Sequence, residues 1–219
     1  VITLDPETSQ ARGNRHEGAL QIPNDAIEPE DIAMLAGVLT LSEVQVNALY
    51  FLRRRLGRKW LRKLLSNDEN DQSELDEFVQ QGDLIKGTLG AIQRKFEIFR
   101  RMGFLHTNVS EDLVETLFQK LNSGISIVLE FGTYGDSLPA YMFVANYLTR
   151  RIHHRYVDAK NKAFGDKVDE PNPLMIVIEE AHKFLDPEIS RHTIFGTIAR
   201  ELRKYNVTLL VVDQRSSGI

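Results

Sequence analysis

The spacing of apolar residues switches between strand and helix periods along this chain. VITLDP at 1–6 is a short apolar run closed by Asp5 and Pro6, which predicts a buried strand ending in a turn. The polar stretch behind it, with Gly13, Gly18 and Pro23, predicts loop. From Pro29 the period is helical: EPEDIAMLAGVL carries proline in a first-turn position with acids beside it, which suits the positive end of a helix dipole. A second helix is expected from Ser42, where S-E-V-Q gives capping-box spacing and Val44, Ala48, Leu49, Leu52 and Leu56 recur at helical intervals. SNDENDQSE at 66–74 predicts a polar break, and 75–101 a further helix that Gly82, Gly87 and Gly90 weaken. Ser110 caps an expected helix through Leu121.

The last hundred residues alternate differently. ISIVLEF at 125–131, a helical stretch over 137–157, LMIVIEE at 174–180, a helix near 188–204 and VTLLVVDQ at 207–214 follow one another. The strands are continuous apolar runs, as in parallel sheets covered by helices on both faces. DAKNKAFGDKVDEPNP at 158–173 predicts a long, mobile, charged connection. The expected architecture is α/β: one domain whose core is residues 1–27 and 122–219, with a helical insertion at 28–121.

Composition narrows the function classes only a little. With 219 residues and 42% of them hydrophobic, the chain has enough apolar material for one sizeable core. A net charge of -4 means that nucleic acid would have to be held by a local basic patch. The absence of cysteine excludes disulfides and thiolate chemistry and fits a reducing, cytoplasmic setting. No apolar run reaches the roughly 18 residues of a membrane span, and no secretory signal pattern occurs, so no membrane partner is expected. Val1 already lies inside a strand-like run, and the sequence is read as a fragment.

The sharpest chemical feature is LMIVIEEAH. An apolar strand delivers Glu179 and Glu180 to the edge where open α/β sheets place their ligands. In a nucleoside triphosphatase one such acid holds magnesium through water and the next polarises the attacking water. Paired acids also simply end strands, so the neighbours decide. VTLLVVDQ ends a second apolar strand in Asp213, Gln214 and Arg215. Between the two strands, TIFGTIARELRKYN spaces Arg200 and Arg203 onto one or adjacent helix faces. An arginine that meets transferred phosphate charge across a subunit boundary is worth about 10³ to 10⁵ in rate, whereas basic residues in a last helical turn are also favoured by the helix dipole alone.

Together, EEAH and IARELRKYNVTLLVVDQRSSGI resemble the HerA family of hexameric ATPases, relatives of FtsK-type DNA translocases. VITLDP is similar to the strand and acidic turn that follow the phosphate-loop helix in that family. ISIVLEFGTYGDSLPAYMFVANYLTRRIHHR is similar to the strand-helix unit before the acidic strand. The resemblance implies a P-loop NTPase (RecA-like) core with a mostly parallel sheet. It makes Glu179 the magnesium-side acid, Glu180 the water-activating acid, Gln214 a polar sensor, Arg200 or Arg203 the finger, and Arg215 a further nucleotide-side group. His182 helps to shape the loop. ATP and Mg2+ are then the implied cofactors. A homo-hexameric ring, double-stranded DNA and a NurA-like nuclease are the implied partners, in DNA end resection and repair.

Two features depart from the family's pattern. The phosphate loop G-x-x-x-x-G-K-[ST] occurs nowhere; GTLGAIQRK at 87–95 lacks the Gly-Lys-Ser/Thr ending. This chain alone is therefore expected not to hydrolyse ATP. Glu130 stands where the family more often has aspartate, and its role stays open.

RRRLGRKWLRK at 53–63 gathers basic residues around Trp60. Arg53, Arg54, Arg55, Arg58 and Lys59 are the candidate phosphate contacts of a DNA-facing patch, against a solvated helix face or a contact with the acidic stretch 67–77. His153 and His154 are adjacent rather than four apart, which argues against a metal pair. Two other classes compete with the motor. Glu130, Asp136, Glu179 and Glu180 could ligate the ions of a metal-dependent nuclease, although no lysine follows Glu130 at short spacing. A non-catalytic oligomerisation or interaction module would keep the fold without needing Glu180.

Overall fold

The first strand, β1 (Ile2–Thr3), stops where Asp5 and Pro6 turn the chain into a helix. Pro6 takes a first-turn position and the Asp5 carboxylate accepts the Thr8 N–H at 3.1 Å, so α1 (Pro6–Ala11) begins where loop is expected. β2 (Gly18–Ala19) follows. The computed structural model describes residues 1–107, 109, 113–166, 169–180 and 205–213. The expected helix near 188–204, the cap at Ser110, and His182, Arg200, Arg203, Gln214 and Arg215 lie outside the described residues.

The chain divides into two units, Val1–Ala19 with Glu111–Ile219, and Leu20–Ser110. The second unit is framed by β3 (Ile22–Pro23), which pairs in parallel with β4 (Leu105–His106). Between them run α2 (Pro29–Ala33), α3 (Glu43–Leu56), α4 (Trp60–Leu65), α5 (Glu69–Gln80), α6 (Lys86–Lys95) and α7 (Glu97–Arg100). The capping box at Ser42 and Gln45 forms as its spacing predicts. The acidic break does not: Asp68 accepts the N–H groups of Asn70 and Asp71 and starts α5 inside it, while Lys63 pairs with Glu74 and Asp71. Acids in a first turn face the positive helix end, so the segment read as a breaker is a helix start. Trp60, Leu61, Leu64, Leu49, Leu52, Ile92, Phe96 and Phe99 are buried, and the Trp60 indole donates to the Ile27 carbonyl at 2.9 Å.

In the first unit, β1 is flanked in parallel by β2 and β5 (Leu129–Glu130). α8 (Leu113–Asn122) precedes β5, and α9 (Leu138–Asp166) follows a 3-10 turn at Gly132–Asp136. The expected divide at 121/122 falls at the end of α8, whose Phe118 packs edge-on against Tyr156 of α9. α9 continues through DAKNKAFGD, the first part of the expected mobile connection. Ala163 is buried there, and Lys160 pairs with Glu170 and with the Asn206 side chain.

β6 (Leu174–Ile178) and β7 (Val207–Val211) pair in parallel over five residues each. Leu174 and Val207 pack with Phe118 and Tyr156, whereas Met175, Val177 and Leu210 on the alternate positions are exposed. Among the described residues, cover of these strands is seen on one face. Tyr156 is fully buried, and among the described residues its hydroxyl finds no hydrogen-bond partner. Burial also pushes its pKa up. Tyr156→Phe removes an unpaired polar atom while keeping the ring, so it should raise stability by up to about 1 kcal/mol in urea unfolding; a loss of that size would show a hydroxyl partner.

Candidate functional site

Two acidic clusters stand at carboxyl ends of the parallel strands of the first unit. At the end of β1, Asp5 Oδ1 caps α1, and Asp5 Oδ2 accepts from the Thr133 backbone N–H at 3.1 Å and its hydroxyl at 2.6 Å. These donors, the Thr133 hydroxyl first, hold the Asp5 carboxyl well below the usual carboxylate range. Gly132 makes the approach feasible. Its φ is +55°, and a Cβ built there would overlap the Asp5 Cβ and lie 3.0 Å from Asp5 Oδ2. At the end of β5, Glu130 accepts from the buried Ser9 hydroxyl at 2.6 Å and from Asn14 Nδ2 at 2.7 Å, which lowers its pKa. Glu130 ties α1 to the sheet, and both its oxygens are engaged there by protein donors.

The Asp5 shift sets an acid dependence. Its folded pKa lies below the unfolded value, so its stabilisation is present above about pH 4 and is lost as the pH falls below that. Asp5→Asn should be less stable than the wild type at neutral pH and lose less between about pH 4 and pH 2. Urea midpoints across that range check it, and parallel acid limbs would refute it.

The second cluster follows β6. Glu179 is exposed and Glu180 half-buried, with Glu180 at φ +53°, a left-handed conformation that an unbranched acid adopts only when its neighbours hold it. The register pairs Ile178 with Val211, and the Val212 N–H extends the ladder to the Ile178 carbonyl at 2.9 Å. The strand ends therefore bring Asp213 to the same edge as Glu179 and Glu180. Tyr141, on the first turn of α9, donates its hydroxyl to the Glu179 carbonyl at 3.0 Å. Its pKa is raised, by burial first and then by the Glu179 and Glu180 charges. Phe131, next to Glu130, packs against the Tyr141 ring with centroids 4.4 Å apart.

The basic run lies on α3 and α4 and the turn between them, in the second unit. Arg53 is bound in a two-pronged pair with Glu28, Nε to Oε2 at 2.6 Å and Nη2 to Oε1 at 3.0 Å, and this bond raises its pKa. Arg55 reaches Asp83 at 3.5 Å and lies over the Phe78 ring. Arg58 donates to the Asp25 carbonyl at 3.3 Å. Arg54 and Lys59 are exposed. The five residues proposed together from sequence are thus unequal: two spend their charge on acids of their own unit.

Sequence reasoning named Glu179 and Glu180 as candidates but did not anticipate the contacts made by Asp5, Gly132, Thr133 and Tyr141. Asp5-Pro6 carried a helix-start signal and the F-G-T-Y-G-D segment a turn signal, but neither names its distant partner. Among the described residues, no group of three or more His, Asp or Glu side chains is arranged to hold a metal ion. Among the same residues, no helix is long and apolar enough to cross a membrane.

Parallel strands with acids delivered to their carboxyl ends belong to an α/β domain of the P-loop NTPase type. Residues 1–152 match the family described as Helicase HerA, central domain, and the chain belongs to that family. It is 32% identical over 149 residues to the DNA double-strand break repair helicase HerA of Saccharolobus solfataricus, covering 66% of this chain and 28% of that protein. The proteins of the same name from Sulfurisphaera tokodaii and Sulfolobus acidocaldarius are 37% identical over 79 residues and 38% identical over 78. Each of those matches covers 35% of this chain and 15% of the relative. The chain thus spans little more than a quarter of the length of the Saccharolobus solfataricus relative.

Proposed function

We propose that this chain is part of an ATP-driven DNA translocase or helicase motor that acts as a homo-hexameric ring in DNA end resection and repair. The observation that carries the reading is the acidic turn after β6 in a chain of the HerA central-domain family, with Glu180 held in a left-handed conformation beside Glu179 and Asp213. The names of the three relatives support the DNA-repair setting. In this reading residues 1–27 and 122–219 form the ATPase core, and residues 28–121 are inserted in it.

An exposed carboxylate at Glu179 suits a hard cation held through water, so Mg2+ would be held on that side, and bound magnesium would neutralise charge on the phosphates. Glu180 orients and polarises the attacking water. Gln214 senses the γ-phosphate, Arg215 supports the nucleotide, and Arg200 or Arg203 meets phosphate charge across the subunit boundary. The phosphate-cradling loop has no counterpart in this sequence, so residues 1–219 alone bind ATP poorly and do not hydrolyse it. Double-stranded DNA and a NurA-like nuclease are the partners, in the cytoplasm. Any contribution of the basic run to DNA binding falls to Arg54, Arg58 and Lys59 more than to Arg53 and Arg55, whose charges are engaged. A two-metal nuclease is disfavoured by Glu130, whose oxygens are committed to Ser9 and Asn14.

Glu180→Gln in the full-length protein tests the assignment. ATP hydrolysis should fall about a hundredfold or more, while nucleotide affinity stays within about twofold. Full hydrolysis by the variant would remove Glu180 from the role.

A further inference from the structure

Tyr141 occupies a place that the proposed chemistry does not yet use. Its ring packs at a tilt against Phe131, directly after the β5 carboxylate, and its hydroxyl reaches across to the Glu179 carbonyl. Phe131 is followed by Gly132 and Thr133, which Asp5 clamps to the end of β1. Bonded and packed contacts therefore run from β1, through the turn after β5 and the first turn of α9, to the peptide group joining Glu179 to Glu180. That peptide group needs an anchor, because Glu180 has a positive φ and no glycine's freedom. A hydrogen bond to the preceding carbonyl fixes the plane from which the Glu180 side chain departs.

We infer that Tyr141 is the positioning residue of the acidic turn: its hydroxyl orients the Glu179–Glu180 peptide so that the Glu180 carboxylate is held where water is activated. It touches no reacting atom in this role. The inference rests on the ATPase reading for its consequence, while the anchor itself is a property of the fold.

Tyr141→Phe in the full-length protein keeps the ring on Phe131 and deletes only the donor. Amide hydrogen exchange at Glu180 should quicken about tenfold, with exchange in β1 and α1 unchanged. The kcat for ATP should fall about tenfold with KM within about twofold, because binding is intact and only the orientation of the base is lost. Wild type and Glu180→Gln are assayed beside it. Unchanged exchange at Glu180 overturns the anchor whatever the activity. Faster exchange with a wild-type kcat overturns the positioning role, and so does a kcat loss matched by a loss of nucleotide affinity or by exchange rising throughout the unit. If exchange quickens at Glu180 but neither wild type nor any variant hydrolyses ATP, the ATPase reading has failed, the catalytic role of Tyr141 falls with it, and the anchor stands.

Discussion

Gly132→Ala is expected to cost the unit of residues 1–19 and 111–219 at least about 3 kcal/mol. A side chain at φ +55° is strained by itself, by about 1 kcal/mol or more. The larger part comes from Asp5, whose Cβ stands where the new methyl group would be. Asp5 has to move, and in moving it gives up two bonds to Thr133 and the cap on α1, each worth about 1 kcal/mol. Gly135→Ala is the control: it lies three residues on, in the same turn, and an added Cβ would meet Phe131 at 3.7 Å, an ordinary contact. Urea unfolding followed by circular dichroism should separate the two variants clearly. Equal midpoints would mean that the Asp5 clamp is not part of the folded turn.

Trp60→Ala should destabilise the unit of residues 20–110 by about 3 to 5 kcal/mol. Trp60 is fully buried at the start of α4, so truncation leaves a cavity, and the Ile27 carbonyl loses its indole donor. Trp60→Phe should cost less, about 1 to 3 kcal/mol, through the unpaired carbonyl and the smaller ring. Because Trp60 is the single tryptophan, its fluorescence in the wild type follows this unit alone. A Trp60→Ala variant with wild-type thermal unfolding by circular dichroism would contradict the packing described. The same residue sits among the basic side chains that suggested a DNA patch, and its burial shows that it anchors the helical unit rather than stacking on bases.

Local signals were legible in this sequence wherever the structure-forming interaction is itself local. The Ser42 box joins residues three apart, Pro29 starts a helix, and LMIVI is long and apolar enough to be read as a strand with Glu179 and Glu180 behind it. The misreadings share one cause: polar composition was taken for loop. In SNDENDQSE the acids cap and start α5, and in DAKNKAFGD good helix formers continue α9 with Ala163 turned inward. Short β1 and β5 show the converse, since the strand-like segments VITL and ISIVLEF yield two paired residues each. What no local pattern could supply was the wiring of the site. Ser9 meets Glu130 across 121 residues and Asp5 meets Thr133 across 128, so Glu130, whose role the sequence left open beyond a nuclease-ligand alternative, is seen tying α1 to the sheet.

The measurement that bears most directly on the motor reading is the steady-state ATPase rate of the full-length protein with magnesium, with and without double-stranded DNA, beside residues 1–219 alone. The expected result is hydrolysis by the full-length protein that DNA stimulates severalfold, and none by residues 1–219. A full-length protein that stays inactive with DNA and magnesium would contradict it, and the fold would then serve as an interaction module rather than an engine.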